Sequence, residues 1–314
     1  MKLLFIVDGL ATLKPYKDSS VAMMRAATAR GHSVFAAQIA DLLLRDGQAL
    51  ATCSALAVRN HDDWYTASAP VVHALADFDA VLMRTDPPVD TNYLLATQLL
   101  DVAAQNGARV LNRPAALRDF NEKLAILNFP QFIAPTLVSA HTAEIDAFLA
   151  THADIIVKPL TEMGGAGIFR LSATDPNRNA ILETLTHRGQ RPIMAQRYLP
   201  EIAQGDKRIL IIDGEVQPWA LARIPKAGET RGNLAAGGTG RAQALSPRDR
   251  EIAETLAPWT RQHGLFLVGL DVIGDCLTEI NVTSPTGFQE ITAQTGFDVA
   301  AQFILALERP DPVG

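Results

Sequence analysis

The first 120 residues alternate between short apolar runs and stretches with helical spacing. Leu3–Val7 is a continuous apolar run of strand length that stops at Asp8. Asp18 or Ser19 can cap a helix running to about Arg30, where Gly31 ends it, and Ser33–Gln38 supplies a second strand. Asp46-Gly47, between Leu42–Leu44 and Ala49-Leu50, is a hairpin signal. Ala80–Met83 is a buried strand ending at Arg84, and Asp86-Pro87-Pro88 prevents its continuation. A helix from about Thr91 to Asn106, closed by Gly107, leads into a strand at Arg109–Leu111. This is the pattern of an open α/β layer, in which ligands gather at the carboxyl ends of strands, where Arg84 lies.

After Pro114 the rhythm changes. Ile155–Pro159 and Ile168–Leu171 are strands joined by the glycine-rich Met163–Gly167; a helix around Asn179–His187 and a strand Ile193–Gln196 follow. Ile209–Ile212 and Val216–Arg223 flank Asp213-Gly214 as a hairpin. Residues 225–241 are glycine-rich and without periodicity. A helix from about Pro247 to His263 precedes two strands, Leu267–Ile273 and Leu277–Val282.

Composition narrows the function. The 314 residues carry 28 Lys and Arg against 34 Asp and Glu, a formal net charge of -6, which disfavours general nucleic-acid binding but leaves room for a local cationic cluster around a small anion. Two cysteines, Cys53 and Cys276, give no disulfide framework, and the histidines lack zinc spacing. The N-terminal apolar run is too short for a signal peptide, and no run reaches the ~18 residues of a membrane span. A soluble, cytoplasmic protein is expected.

Gly164-Gly165-Ala166-Gly167 joins strand to strand, unlike a dinucleotide fingerprint, and no GxxxxGK[ST] motif is present. Such a loop is either a phosphate cover, with Lys158 and Lys123 as cations, or a plain hairpin turn. If Gly274-Asp275-Cys276 is a three-residue hairpin loop, Asp271 faces Glu279, and Asn281 joins the same face. Two facing acids would repel, so a Mg²⁺ site completed by nucleotide phosphates is favoured over a solvated acidic face. Arg208 and Arg223 fall at the same end of the 209–223 hairpin, where they could stabilise developing negative charge. The 225–241 segment is either an unstructured surface loop or a lid that excludes water.

In this order the motifs resemble the ATP-grasp superfamily, and along nearly the whole chain they resemble the bacterial glutathione synthetases. The matching stretches include Lys17–Ser20, Met83-Arg84, Asp86–Pro88, Asn121–Leu124, Lys158–Leu160, Tyr198–Pro200, Gly205–Arg208, Ala222–Pro225, Glu229–Gly238 and Leu277–Thr286. The resemblance implies an N-terminal open α/β domain (residues 1–120), then an ATP-grasp fold: a central lid domain (121–200) and a C-terminal domain (201–314) carrying the 225–241 loop. It implies ATP-dependent joining of γ-glutamylcysteine to glycine through an acyl phosphate, with ATP and Mg²⁺ (or Mn²⁺) required and a homotetramer as the assembly. Neither nucleic acid nor membrane is an implied partner. Residue by residue it assigns Lys123, Lys158, Gly164, Gly165, Ala166 and Gly167 to phosphates, and Gln196, Tyr198 and Leu199 to adenine. Asp206 goes to ribose or phosphate, and Asp271, Glu279 and Asn281 to the metal. Arg208 and Arg223 stabilise the intermediates, and Arg231 and Asn233 ride on the lid. Asp18, Ser19, Arg84, Ser284 and Thr286 meet the peptide. Another ATP-grasp carboxylate–amine ligase, of the D-alanine-joining or glutamate-adding kind, and a non-catalytic ATP-binding relative are the alternatives.

Overall fold

The parallel strands expected in the first third stand side by side in a computed structural model, which describes residues 1–226, 228–229, 232 and 237–309. Ser33–Ala37, Lys2–Ile6, Ala80–Met83 and Val110–Leu111 run parallel in that spatial order; Gln48–Val58 and Leu42–Arg45 extend the sheet antiparallel. Lys2–Ile6 lies between the strand that follows it and one from far downstream. The connections therefore leave in opposite directions, opening a crevice at the carboxyl ends. Asp8, Arg84 and Asp86 follow those ends. The helix Ser19–Ala29 starts where expected, with the Asp18 side chain accepting the Val21 N–H, and Gly31 leaves it at φ +78°. Asp46 and Gly47, both at positive φ, make the expected hairpin.

A second, antiparallel sheet orders Phe169–Ser172, Asp154–Pro159, Ile193–Arg197 and Thr136–Ser139. It has its own small core of Ile145, Leu149, Ile155, Val157, Leu171, Leu182, Ile193 and Ala195. The third sheet, also antiparallel, orders Thr239–Ala244, Glu215–Ile224, Asp206–Ile212, Leu267–Ile273 and Cys276–Asn281. Its apolar face shares a core with the first sheet, since Met83 and Tyr93 belong to the same cluster as Val268 and Ile280. The second sheet's other face joins the larger core through Met194, with Val138 and Leu160 packed beside it.

Two expectations change. Thr239–Arg241 belong to a strand of the third sheet, so the aperiodic segment is shorter than 225–241. The hairpin carrying Asp271 turns on two residues, Gly274-Asp275, because Ile273 pairs with Cys276. A bulge between Asp271 and Val272 then absorbs the extra residue and restores Asp271 opposite Glu279. Helices at Pro114–Asp119, Thr142–His152, Phe288–Thr295 and Val299–Leu307 were not expected from the pattern. Among the described residues, no helix is long and apolar enough to cross a membrane.

Candidate active site

The third sheet sets a row of charge across four strands. Arg208 pairs in register with Asp271, and Asp271 with Glu279; two residues along, Asp206 pairs with Arg223. Period-two alternation puts these side chains on one face. Arg208 donates through Nε and Nη2 to the two Asp271 oxygens, at 2.6 and 3.1 Å. Arg223 Nη2 lies 2.5 Å from Asp206 Oδ2 and 2.9 Å from Asp271 Oδ2. Gly269 makes this packing possible: a Cβ there would sit 2.8 Å from both Arg208 Cδ and Pro285 Cβ.

The second sheet meets this row at Glu279. Lys158 Nζ reaches across to the Thr278 carbonyl (3.2 Å) and Glu279 Oε1 (3.4 Å). Lys123 Nζ donates to the Glu162 carbonyl at 2.6 Å and lies 3.8 Å from Glu279 Oε1. Each acid is thus matched by the protein's own cations: two arginines on Asp271 and two lysines around Glu279. Facing carboxylates therefore do not by themselves demand a metal here.

The electrostatics follow from burial. Burial alone would raise the Asp271 carboxyl, but Arg208 and Arg223 reverse this and hold it below the usual carboxylate range. Burial also lowers Lys158, against the pull of Glu279. Asp206 is pushed up to about 7, chiefly by burial, with Arg223 opposing and the Asp271 and Glu279 charges adding to the rise. Arg223 is raised despite burial, because Asp206 and Asp271 both favour its charge. The pair looks lopsided because one guanidinium is divided between two acids and serves Asp271 as well as Asp206.

Two clefts open on this row and share Lys123, Met163, Gly164, Asp271 and Glu279. One, of about 830 Å³, lies between the second and third sheets. Its apolar walls include Ile156, Ile168, Leu199 and Ile202, with Gln196 and Tyr198 beside them; Lys158, Gly165, Ala166 and Asp206 line it too. Arg170 stacks over the Tyr198 ring at 3.8 Å. The other, of about 1550 Å³, reaches the first sheet's carboxyl ends; Asp8, Asp18, Asp86 and Glu290 face Lys14, Lys17, Arg208 and Arg223 there. Ser284, Thr286 and Asn281 also line it.

Three of the expected residues line neither cleft. Ser19 is fully buried, accepts from the Phe288 N–H at 3.4 Å and lines neither cleft. Arg84 is also buried; its Nε donates to Ser20 Oγ and its Nη2 to the Pro285 carbonyl, so it supports the wall behind Ser284. Gly167 packs against Pro159 rather than facing the cleft. Arg231 and Asn233 lie outside the described residues. Sequence reasoning passed over Asp8 and Asp86, although the strand-end rule that singled out Arg84 applies equally to them. It also passed over Glu122, which carried no signal beyond its place beside Lys123.

A magnesium ion fits the donor set. Asp206 Oδ1 is buried without a hydrogen-bond partner among the described residues. Asn281 commits its Nδ2 to the Gly269 carbonyl at 3.1 Å, which leaves Oδ1 as an acceptor. Carboxylate oxygens already in ion pairs keep further lone pairs. Among the described residues no three acid, histidine or cysteine side chains make a cage by themselves. That suits an ion whose shell is finished by phosphates and water.

Comparison with known proteins adds to this geometry. The model of the prokaryotic glutathione synthetase N-terminal domain matches residues 1–118, and that of the prokaryotic glutathione synthetase ATP-grasp domain matches residues 122–296. The chain is 60% identical over 308 residues to a glutathione synthetase of Neisseria meningitidis serogroup A, covering 96% of this chain and 97% of that one. It is 57% identical over 311 residues to a glutathione synthetase of Ralstonia nicotianae, covering 98% and 96%. Among solved structures, D-cycloserine synthetase DcsG superposes with a TM-score of 0.66 at 15% identity, covering 97% of this chain and 98% of that one. The ATP-grasp ligase PsnB, complexed with a phosphomimetic minimal precursor, Mg and ADP, superposes with a TM-score of 0.62 at 18% identity, covering 98% and 97%. These two are likenesses of fold.

Proposed function

The chain belongs to the prokaryotic glutathione synthetase family, with an ATP-grasp fold, and we propose that it joins γ-glutamylcysteine to glycine at the expense of ATP, giving glutathione, ADP and phosphate. The observation that carries this reading is the junction of the two clefts on one charged row. A nucleotide held between the second and third sheets would present its terminal phosphate where the peptide-side cleft begins.

In this reading Gln196, Tyr198 and Leu199 hold adenine, Asp206 meets ribose or phosphate, and Lys123, Lys158 and the 164–166 loop hold phosphates. Glu279, Asn281 and Asp271 hold Mg²⁺, for which Mn²⁺ is a substitute; the ion would neutralise phosphate charge and orient the transferred group. The cysteinyl carboxylate attacks the γ-phosphorus, and the glycine amine then displaces phosphate from the acyl phosphate. Arg208 and Arg223 line the cleft where that negative charge collects. Both already lean on Asp271, so their guanidiniums are preorganised and need no rearrangement as charge develops. The acidic side of the peptide cleft (Asp8, Asp18, Asp86) suits an ammonium, and the basic side a carboxylate, as the zwitterionic γ-glutamyl end requires. The second sheet and its own core act as the lid over ATP, with boundaries near residues 121 and 200. A cytoplasmic homotetramer completes the reading, and light scattering on the eluted protein checks the assembly.

The test of the chemistry is isotopic. With ¹⁸O in the cysteinyl carboxylate, one labelled oxygen should appear in the released phosphate; unlabelled phosphate would rule out the acyl phosphate.

A further inference from the structure

Glu122 precedes Lys123 at the wall of the peptide-side cleft, outside every contact assigned to nucleotide, metal or peptide. Its Oε1 accepts three donors: the Val282 N–H at 3.0 Å, the Thr283 N–H at 3.2 Å and the Thr283 hydroxyl at 2.8 Å. Its main-chain carbonyl accepts the Ile280 N–H at 2.9 Å. The reason lies in the sheet. Cys276–Asn281 is an edge strand, so one row of its amides has no strand to bond to. Residue 122 stands in for that strand and takes the amides on both sides of Asn281. With Asn281 Nδ2 fixed on the Gly269 carbonyl, the backbone and the amide plane of this residue are both constrained.

Its neighbours tie down other walls of the same site. Asn121 Nδ2 donates to the Leu160 carbonyl at 2.9 Å, just beyond the strand that carries Lys158, and Lys123 Nζ holds Glu162 at the entry to the glycine loop. Three consecutive side chains therefore address three segments that meet at the nucleotide.

We propose that Glu122 is a positioning residue for the cation: through the 280–283 backbone it holds Asn281 Oδ1 and, one turn of the pleat away, Glu279, in the geometry that binds magnesium. The inference rests on the magnesium reading of Glu279 and Asn281. A partner that orients a metal ligand typically governs about 10- to 100-fold in metal affinity. Gln is isosteric but replaces a charged acceptor by a neutral one, so charge-assisted bonds weaken without a cavity.

The experiment is calorimetric ATP binding over a magnesium series for the full chain, its Glu122→Gln variant and Thr283→Val, which removes only the hydroxyl donor. Amide exchange at Ile280, Val282 and Thr283 without ligand is measured alongside. The wild type should need magnesium for tight ATP binding; if it does not, the underlying metal reading fails and this inference falls with it. Given that dependence, Glu122→Gln should raise the half-saturating magnesium concentration about 10-fold. Exchange at the three amides should quicken, and ATP affinity should recover at saturating magnesium. Thr283→Val should shift the midpoint the same way by a smaller factor, and it carries the test if Glu122→Gln does not fold. An unchanged magnesium midpoint in a folded variant, or weakened ATP binding that magnesium does not restore, would overturn the proposal.

Discussion

Replacing Lys158 by Met separates what this residue does for the nucleotide from what it does for the fold. The lysine is 4% exposed, and its ammonium spends its contacts on the Thr278 carbonyl and Glu279. A singly charged phosphate oxygen about 4 Å from it would gain about 4 kcal/mol at an effective dielectric constant of ~20. Glu279 already takes part of that field, so we assign half, about 2 kcal/mol, or roughly a 30-fold loss of ATP affinity in Lys158→Met. Stability should move little. Met keeps the side chain's length, and the cost of burying an ammonium disappears while the pair with Glu279 is lost. Glu279 keeps Lys123 at 3.8 Å and stays partly open to solvent, so its charge is not stranded and a change within about 1 kcal/mol, or ~2–4 °C in melting temperature, is expected. Calorimetry with Mg-ATP and a thermal melt on the same sample read both quantities. ATP affinity within about twofold of wild type would refute the phosphate role. A melting temperature lowered by some 10 °C would instead make Lys158 a structural counter-ion to Glu279.

Two further outcomes follow from the same row. Gly269→Ala should drive a Cβ into Arg208 and Pro285, costing about 2 kcal/mol of stability and a larger share of turnover, because Arg208 must leave Asp271; melts and initial rates check this, and wild-type values for both would contradict the close approach. For Asp206, the folded carboxyl at about 7 lies above its unfolded value of 3.8, so between about pH 4 and 7 the folded chain holds a proton the unfolded chain has lost. Its contribution to stability therefore falls as pH rises through that window and stays flat above it. Asp206→Asn removes this slope, worth about 3 kcal/mol over the window, so the variant's melting temperature should gain on wild type by roughly 5–10 °C from about pH 4.5 to about pH 7.5. A difference independent of pH would refute the shift.

Much of the site was legible because period-two alternation is strict. Asp271, Glu279 and Asn281 could be placed on one face from spacing alone, and Arg208 and Arg223 at one hairpin end. The hairpin loop was read one residue too long, yet the pairing stood, since the bulge beside Asp271 compensates; bulges leave no mark in a hydrophobic pattern. The helix Val299–Leu307 escaped notice because nearly every position is apolar and most are buried, which erases the helical period. Thr142–His152 did carry spacing at Ile145, Phe148 and Leu149 that would have supported a helix. Contacts between sheets were beyond reach. Lys158 meets Glu279 across 121 positions and Glu122 meets Thr283 across 161, and no local rule links residues so far apart.

The most direct test of the central claim is product formation by the purified chain with Mg-ATP, γ-glutamylcysteine and glycine, omitting each component in turn. Equal amounts of phosphate and glutathione, confirmed by mass, are expected only when all are present. Tight ATP binding with no phosphate release, or release driven by D-alanine or another acceptor pair instead, would contradict the claim.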